Sequence, residues 1–306
     1  MKNVDGKLAM KIAMPATNSP INSPRDYFLN TQIIVHAGGL SERWFPVTQG
    51  KIPKPMTEVG KKLRPMIDWT VLPYVVAGAK KIFLTLWHQP EVIVDHFKQV
   101  TKSTGIEFIP LIEPQNRRMG RAGVIKYYMD QGIVSNNQPI ISINSDDIVK
   151  LNPIELSKFQ FGGLDKGFRA TVVGSSTEVS QYGRIKFNQK TNEVSSFIEK
   201  PDFKLGASEL VNTGIFYLDS ELSKHFLDIK ESEMPVDLER SRMMQDHVVR
   251  VMRALDLVVL GKTWFVLNTP DQYKKIRDFD FEKFFEVTNV ERFLGPYEPT
   301  GNANCK

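Results

Sequence analysis

The chain has 306 residues, of which 41% are hydrophobic and 25% are charged. These values are ordinary for a globular protein, and they exclude a disordered, a collagen-like or a disulfide-stapled chain. The formal net charge of +5 favours anionic partners, a class that includes phosphorylated small molecules, nucleic acids and acidic membranes.

Cysteine usage and hydropathy indicate the cellular compartment in which we expect the protein. The single cysteine, Cys305, excludes a disulfide framework within one chain and favours a reducing compartment. No apolar run reaches the roughly 18–20 residues that a membrane helix needs. The first residues carry Asp5 and three lysines, which makes them a poor signal peptide. We therefore expect a cytoplasmic protein with no membrane partner.

The first half of the chain alternates strand and helix patterns. Residues 1–30 are rich in Pro, Ser and Asn, and they predict an irregular N-terminal extension. The first strand is predicted at 31–37 and ends abruptly at Gly38-Gly39. After it, the pattern predicts helices over 65–78, 91–102 and 122–132 and strands over 80–88, 106–113 and 139–145. This alternation is typical of βαβ units on a parallel sheet.

The second half is richer in strands. The pattern predicts strands over 168–174, 183–188, 193–200, 209–218 and 256–261, and helices over 236–253 and 270–278. The predicted fold class is therefore α/β: a Rossmann-like, doubly wound mixed sheet with a more antiparallel C-terminal half. The tail, 276–306, predicts one short aromatic helix that then frays. Its phenylalanines favour a cap on the core, with a homo-oligomer contact as the alternative.

The loop after the first strand is the most informative stretch for function. Gly38 and Gly39 follow a buried strand, where backbone N–H groups can approach a ligand closely. Arg43 comes next, and Lys54 lies between two prolines that stiffen the backbone and suit it to neutralising phosphate charge. The structural alternatives are a tight turn at the glycines and an exposed lysine in a proline-rich loop.

These residues carry a family resemblance. The run Gly-Gly-x3-Arg-x2-Pro-x6-Pro-Lys-Pro, which begins at Gly38, resembles the signature of sugar-1-phosphate nucleotidyltransferases. Further pieces follow in the family's order: Met-Gly-Arg-Ala-Gly at 119–123 resembles Leu-Gly-Thr-Ala-Gly, and Asn-Ser-Asp at 144–146 resembles Asn-Gly-Asp. Phe-Ile-Glu-Lys-Pro at 197–201, Asn-Thr-Gly at 212–214 and a segment like Trp-x-Asp-x-Gly-Thr-Pro from Trp264 complete the resemblance. It covers about 31–275, the predicted nucleotidyltransferase domain.

The resemblance implies an enzyme of nucleotide-sugar biosynthesis. Such a transferase makes an NDP-sugar and pyrophosphate from an NTP and a sugar-1-phosphate, with Mg²⁺ as cofactor. The implied catalytic residues are Arg43, Lys54 and Asp146, and Asp146 is also the implied metal ligand. The implied nucleotide-binding residues are Ala37, Gly38, Gly39, Glu113 and Gly120. The implied sugar-phosphate-binding residues are Gly183, Glu199, Lys200 and Asn212.

Several of these residues also have a structural interpretation that requires no ligand. Asp146 and Asp147 also suit the end of a strand or a helix cap, Glu199-Lys200 a solvated ion pair, and Asn212 a polar residue that serves the sheet. Glu113 suits the guanine edge, which favours GTP, because a carboxylate accepts from N1–H and the exocyclic amine. Alternatively, Glu113 pairs on the surface with Arg117 or Arg118.

The chain departs from the family at several positions. Ser41 and Glu42 replace a glycine and a threonine, and Glu42 repels phosphates unless it points away. The family's leucine is here His36, a threonine is Arg121 and a glycine is Ser145. The second metal aspartate falls on Val266, which cannot bind Mg²⁺; Asp147 and Asp271 are candidate substitutes.

Two hypotheses follow. The first is an active nucleotidyltransferase with an altered metal site, and the second is a weakly catalytic homologue that binds a nucleotide or nucleotide-sugar as a regulatory or scaffold subunit. No basic block with interleaved aromatics supports a nucleic-acid partner.

Overall fold

The computed structural model describes residues 24–115, 119–150, 170–176, 182–188, 190, 194–199, 201, 209–220, 253–256 and 264–300. The helix predicted at 236–253 lies outside this part, except for Arg253, which is in a strand. The predicted strand at 256–261 is described only at Asp256, the last residue of that same strand.

The described residues of the first half, 24–115 and 119–150, form seven strands and five helices. The strands are β1 (Gln32–His36), β2 (Glu58–Val59), β3 (Arg64–Pro65), β4 (Lys81–Leu86), β5 (Glu107–Ile112), β6 (Ile140–Asn144) and β7 (Asp147–Val149). The helices are α1 (Pro24–Asn30), α2 (Phe45–Thr48), α3 (Met66–Val76), α4 (Pro90–Thr104) and α5 (Gly120–Asp130). All the strands and helices predicted between 31 and 145 are therefore present, with ends shifted by one or two residues.

The described second half contains mostly strands. They are β8 (Ala170–Ser176), β9 (Gly183–Phe187), β10 (Val194–Glu199), β11 (Glu209–Leu218), β12 (Arg253–Asp256) and β13 (Trp264–Val266). The helices are α6 (Pro270–Ile276), α7 (Phe281–Phe285) and α8 (Glu291–Leu294). None of the described helices is both long enough and apolar enough to cross a bilayer.

The main sheet is parallel in its first half and mostly antiparallel in its second. Seven strands follow the order β10-β9-β11-β6-β1-β4-β5, and β8 and β12 join through β11. Strand β1 runs parallel to both β4 and β6, whereas β11 runs antiparallel to β6, β8 and β9. This confirms the predicted fold class of an α/β mixed sheet with a more antiparallel C-terminal half.

The central strand is buried on both faces, as a parallel strand covered by helices must be. Ile33, Ile34 and Val35 have no exposed surface. The register pairs His36 at the end of β1 with Thr85 of β4 and with Asn144 of β6. Because parallel strands end at the same edge, the loops after β1, β4 and β6 open side by side.

The sequence pattern missed the short elements α2, β2 and β3, and it also missed two parts of the fold that bear on the core and the site. Residues 24–30 form helix α1 instead of part of an irregular extension, and Tyr27 and Phe28 on it are buried in the core. Strands β7 and β13 form a separate two-stranded antiparallel sheet in which Asp147 pairs with Val266.

The aromatic tail packs against the core, as predicted. Phe281 is buried and its ring lies 5.1 Å from that of Trp69. The tail has two short helices rather than one, and it does not fray directly after them. The buried Arg64 donates to the carbonyl of Gly295 (2.9 Å), and the Tyr297 hydroxyl donates to Glu58 (2.8 Å).

The backbone of β11 passes close to the side chain of Asn144 at the end of β6, where the two halves of the sheet meet. Strand β11 has an irregular register between Asn212 and Phe216, and Gly214 lies there with a φ of +77°. A Cβ at position 214 would lie 1.9 Å from the Asn144 side-chain nitrogen. Gly214 is therefore required both by its backbone angle and by the space that Asn144 occupies.

Replacing Gly214 with Ala tests this constraint. Gly105 is a matched control, because it has a φ of +70° but no atom within 4 Å of its added Cβ. We expect Gly105→Ala to destabilise the protein by about 1 kcal/mol through the left-handed backbone alone. Gly214→Ala should cost about 1–3 kcal/mol more because of overpacking. Urea unfolding measures both, and equal losses would contradict the close approach.

Candidate active site

A cavity of about 350 Å³ opens at the edge of the sheet where β1, β4 and β6 end. It brings together most of the residues that the sequence singled out. All five predicted nucleotide-binding residues line it: Ala37, Gly38, Gly39, Glu113 and Gly120. The three predicted catalytic residues and two of the sugar-side residues also line it: Arg43, Lys54, Asp146, Gly183 and Asn212. Their roles stay predictions, but their proximity is a property of the fold.

Lys54 is the buried cation of this cavity. Pro53 has a φ of −67° and leads into a 3-10 turn that begins at Lys54 and includes Pro55. The Lys54 side chain is only 7% exposed, so the alternative of a solvent-exposed lysine is wrong. Its ammonium donates to Asp146 Oδ2 at 2.6 Å and lies 5.3 Å from the centre of the Trp44 ring. The prolines thus fix a lysine whose charge is already directed at a carboxylate.

The pKa values of the neighbouring residues Asp146 and Asp147 are shifted in opposite directions. Burial alone would raise the pKa of Asp146, but the charge and hydrogen bond of Lys54 outweigh it and lower that pKa. Burial, followed by the charge of Asp146, raises the pKa of Asp147 to about 7. Asp146 is 28% exposed to the cavity and remains ionised at neutral pH.

The carboxylate of Asp147 accepts hydrogen bonds from two other strands of the fold. Its Oδ2 accepts from the Asn144 amide at 2.9 Å, and its Oδ1 accepts from the Trp264 indole N–H at 2.8 Å. The residue begins β7 rather than capping a helix. Both of its oxygens therefore tie β6 to β13, and Asp147 also lines the cavity.

The glycine loop turns through a left-handed residue. The Ala37 N–H donates to the Thr85 carbonyl at 2.9 Å, which continues the β1–β4 pairing into the loop. Ser41, at the position of the family's third glycine, has a φ of 55°. The turn exposes Glu42 to solvent outside the cavity lining, whereas Arg43 lines the cavity. The carboxylate of Glu42 therefore does not belong to the cavity lining.

Glu113 lies inside the cavity and not on the surface. Its side chain is 7% exposed, and its Oε2 accepts from the Met119 N–H at 2.6 Å, just before helix α5. Arg117 and Arg118, its alternative surface partners, lie outside the described residues. Glu113 is thus a buried carboxylate that lines the cavity, a position that favours a role in ligand recognition.

The sugar side is described in part. Asn212 lines the cavity while its Oδ1 accepts from the Gly214 N–H at 2.6 Å, so it also serves the irregular turn of β11. Gly183 of β9 pairs with Glu199 of β10. Lys200 lies outside the described residues, so the reading of Glu199-Lys200 as a solvated pair is untested.

Sequence reasoning did not assign His36 and Arg121 to the site, although it noticed them as departures from the family. His36 Nδ1 lies 3.0 Å from Thr85 Oγ1, and Nε2 lies 2.8 Å from Ser142 Oγ. Burial, followed by the charge of Arg121, lowers the pKa of His36 well below its ordinary value. The imidazole is therefore neutral at pH 7 and braces three adjacent strands at the bottom of the cavity.

Two further cavity residues carry no role in the sequence prediction. The Asn268 side chain accepts from Lys54 at 3.3 Å and donates to the Tyr182 hydroxyl at 3.3 Å. Both line the cavity, as does Val266. The available signal was the position of Asn268 two residues after Val266, in the segment that begins at Trp264.

The described residues offer limited ligation for a metal. They contain no group of three or more His, Cys, Asp and Glu residues that could hold an ion. Mg²⁺ commonly binds through one or two carboxylates together with substrate phosphates and water. Asp146, ionised and partly exposed, fits that mode of binding, whereas Asp271 is exposed on α6 and outside the cavity lining.

Comparison with known proteins gives relatives with named activities. The chain is 31% identical over 209 residues to the mannose-1-phosphate guanyltransferase of Saccharomyces cerevisiae, covering 68% of this chain and 54% of that protein. It is 30% identical over 187 residues to the enzyme of the same name from Yarrowia lipolytica, covering 61% and 48%. The chain thus spans about half the length of these two relatives.

Solved structures share the fold. A putative glucose-1-phosphate thymidylyltransferase from Bacillus anthracis, in complex with a sucrose, matches with a TM-score of 0.66 and 19% identity, covering 84% of this chain and 99% of that one. HddC from Yersinia pseudotuberculosis, complexed with GMP-PN, matches with a TM-score of 0.58 and 22% identity, covering 83% and 99%.

A family model also matches most of the chain. The model described as "Nucleotidyl transferase" matches residues 32–282, which contain all the predicted site residues. Its span runs from the first residue of β1 into α7, so it includes both halves of the sheet. The chain therefore belongs to the nucleotidyl transferase family.

Proposed function

We propose that this protein transfers a nucleotidyl group from an NTP to a sugar-1-phosphate. A phosphate oxygen of the sugar-1-phosphate forms a bond to the α-phosphorus of the NTP. The bond from that phosphorus to the bridging oxygen breaks, and pyrophosphate leaves with the electron pair. The observation that carries the proposal is the 2.6 Å contact between the buried Lys54 ammonium and Asp146 beside a glycine loop.

The residues act mainly by positioning and by charge, as is usual in phosphoryl chemistry. The backbone at Gly38 and Gly39 approaches the nucleotide, and Arg43 meets the leaving pyrophosphate. Lys54 stabilises the negative charge that develops at the reacting phosphate. Asp146 holds Mg²⁺, which when bound neutralises phosphate oxygens.

We propose GTP as the nucleotide. The named relatives at 30–31% identity are guanyltransferases, and Glu113 places a carboxylate in the cavity. A carboxylate accepts from the N1–H and the exocyclic amine of guanine, a pair of donors that uracil and thymine lack. Because the same relatives are named for mannose-1-phosphate, that sugar phosphate is the first to test.

Val266 favours a second function, the binding of a nucleotide or nucleotide-sugar without turnover. Its side chain lines the cavity where the family resemblance places a metal carboxylate. Loss of a metal ligand from a phosphoryl-transfer site lowers the rate by orders of magnitude. A protein of this kind acts as a regulatory or scaffold subunit.

A pyrophosphate-release assay separates the two functions. The protein is incubated with Mg²⁺, each NTP and a panel of sugar-1-phosphates that includes mannose-1-phosphate and glucose-1-phosphate. We expect release with at least one pair, best with GTP, and its loss in Asp146→Ala and in the isosteric Asp146→Asn. Nucleotide binding without release above the Asp146→Ala background would establish the second function instead.

The contribution of Lys54 is tested by truncation. Lys54→Ala should lower the rate of pyrophosphate release about 100-fold or more, on the scale of losing one oriented charge donor. Lys51 is the matched control, because it is exposed and lies outside the cavity lining. Lys51→Ala should keep the wild-type rate, and wild-type turnover in Lys54→Ala would refute the role of Lys54.

A further inference from the structure

The loss of a carboxylate at position 266 raises the question of what replaces it. Val266 pairs with Asp147 across the β7–β13 sheet, and its hydrocarbon side chain offers no oxygen. Asp147 uses both of its oxygens for Asn144 and Trp264, and Asp271 lies outside the cavity lining. Asp271 is therefore excluded, whereas Asp147 lines the cavity with both oxygens already accepting a hydrogen bond, so a further oxygen is needed.

Asn268 places an oxygen beside Asp146. Its Oδ1 lies 3.3 Å from the Lys54 ammonium, and the same ammonium lies 2.6 Å from Asp146 Oδ2. One cationic group therefore contacts both oxygens at once. Carboxylate and carbonyl oxygens are the ligands that Mg²⁺ and Mn²⁺ prefer, so this pair has the chemistry of a divalent-cation site.

The orientation of Asn268 is fixed from two sides. Its backbone N–H donates to Gln272 Oε1 at 2.6 Å, next to the capping box that Thr269 and Gln272 form at the start of α6. Its side-chain nitrogen donates to the Tyr182 hydroxyl at 3.3 Å. With the nitrogen end engaged, the oxygen end is directed at the Lys54 ammonium, which also contacts Asp146 Oδ2, as in a preorganised ligand.

We propose that Asn268 Oδ1 is the second protein oxygen that, with Asp146, holds the divalent cation of this site in place of a carboxylate at position 266. This inference rests on the proposed function of the cavity. In the segment that resembles Trp-x-Asp-x-Gly-Thr-Pro, the oxygen has moved from the Asp position to the Gly position. With a cation held by these two oxygens, the Lys54 ammonium would be released from one of them and would be free to contact a phosphate.

Binding of Mn²⁺ tests the proposal without requiring turnover. The full chain is titrated with Mn²⁺ in the presence of a non-hydrolysable GTP analogue, and free Mn²⁺ is followed by electron paramagnetic resonance. Asn268→Gly should weaken Mn²⁺ binding about tenfold or more. Asn268→Asp should strengthen it because a carboxylate replaces an amide, and the control Asp271→Asn should leave it unchanged.

A double variant that returns the ligating oxygen from position 268 to position 266 provides a stricter test. The double variant Val266→Asp with Asn268→Gly recreates the motif of the family and should bind Mn²⁺ more tightly than Asn268→Gly alone. Tyr182→Phe keeps the ring that packs on Trp264 but removes the hydroxyl that holds the amide. It should weaken Mn²⁺ binding less than Asn268→Gly does.

Three results would overturn the inference in variants whose thermal unfolding matches the wild type. They are no Mn²⁺ binding by the wild type, wild-type affinity in Asn268→Gly, and no gain in the double variant. Failure of the proposed function has a different signature. Asn268-dependent Mn²⁺ binding without pyrophosphate release for any substrate pair refutes the reaction and supports the cation site.

Discussion

The ion pair between Lys54 and Asp146 joins two segments that are 92 residues apart in the chain. One end is fixed by prolines in a 3-10 turn, and the other follows β6, which pairs directly with β1. A buried ammonium is costly to desolvate without a partner charge, and the partly exposed carboxylate of Asp146 supplies that charge to Lys54. This ion pair therefore holds the Lys54 turn, which follows the glycine loop, against the carboxylate after β6 at the same edge of the sheet.

The surroundings of this pair keep Asp146 ionised and make Asp147 harder to ionise. Lys54 lowers the pKa of Asp146, while burial and the charge of Asp146 raise the pKa of Asp147 to about 7. The hydrogen bonds that Asp147 accepts then give it a structural use, linking β6 to β13. Asn268 follows β13 closely in the chain, and its Oδ1 lies 3.3 Å from the Lys54 ammonium. This is the oxygen that we propose as a cation ligand in place of a carboxylate at position 266.

The parallel half of the sheet could be predicted because each strand is an apolar run that ends in a polar loop, and the cavity forms where those loops meet. A role for Lys54 in neutralising phosphate charge was suggested by its flanking prolines together with the glycine loop, but its burial was not predicted. Helix α1 was missed because Pro, Ser and Asn dominate the residues before it and mask Tyr27 and Phe28. Strand β13, from Trp264 to Val266, is too short to show a period, and the direction of Asn268 depends on tertiary contacts that no local pattern contains.

A double-mutant cycle on Lys54 and Asp146 tests most directly whether the pair acts as one unit. The rate of pyrophosphate release is measured for the wild type, for Lys54→Ala, for Asp146→Ala and for the double variant. The account predicts that the double variant is no slower than the slower single variant, because groups that act together are strongly non-additive. A loss in the double variant equal to the product of the two single losses would show that the residues act independently, and would contradict the account.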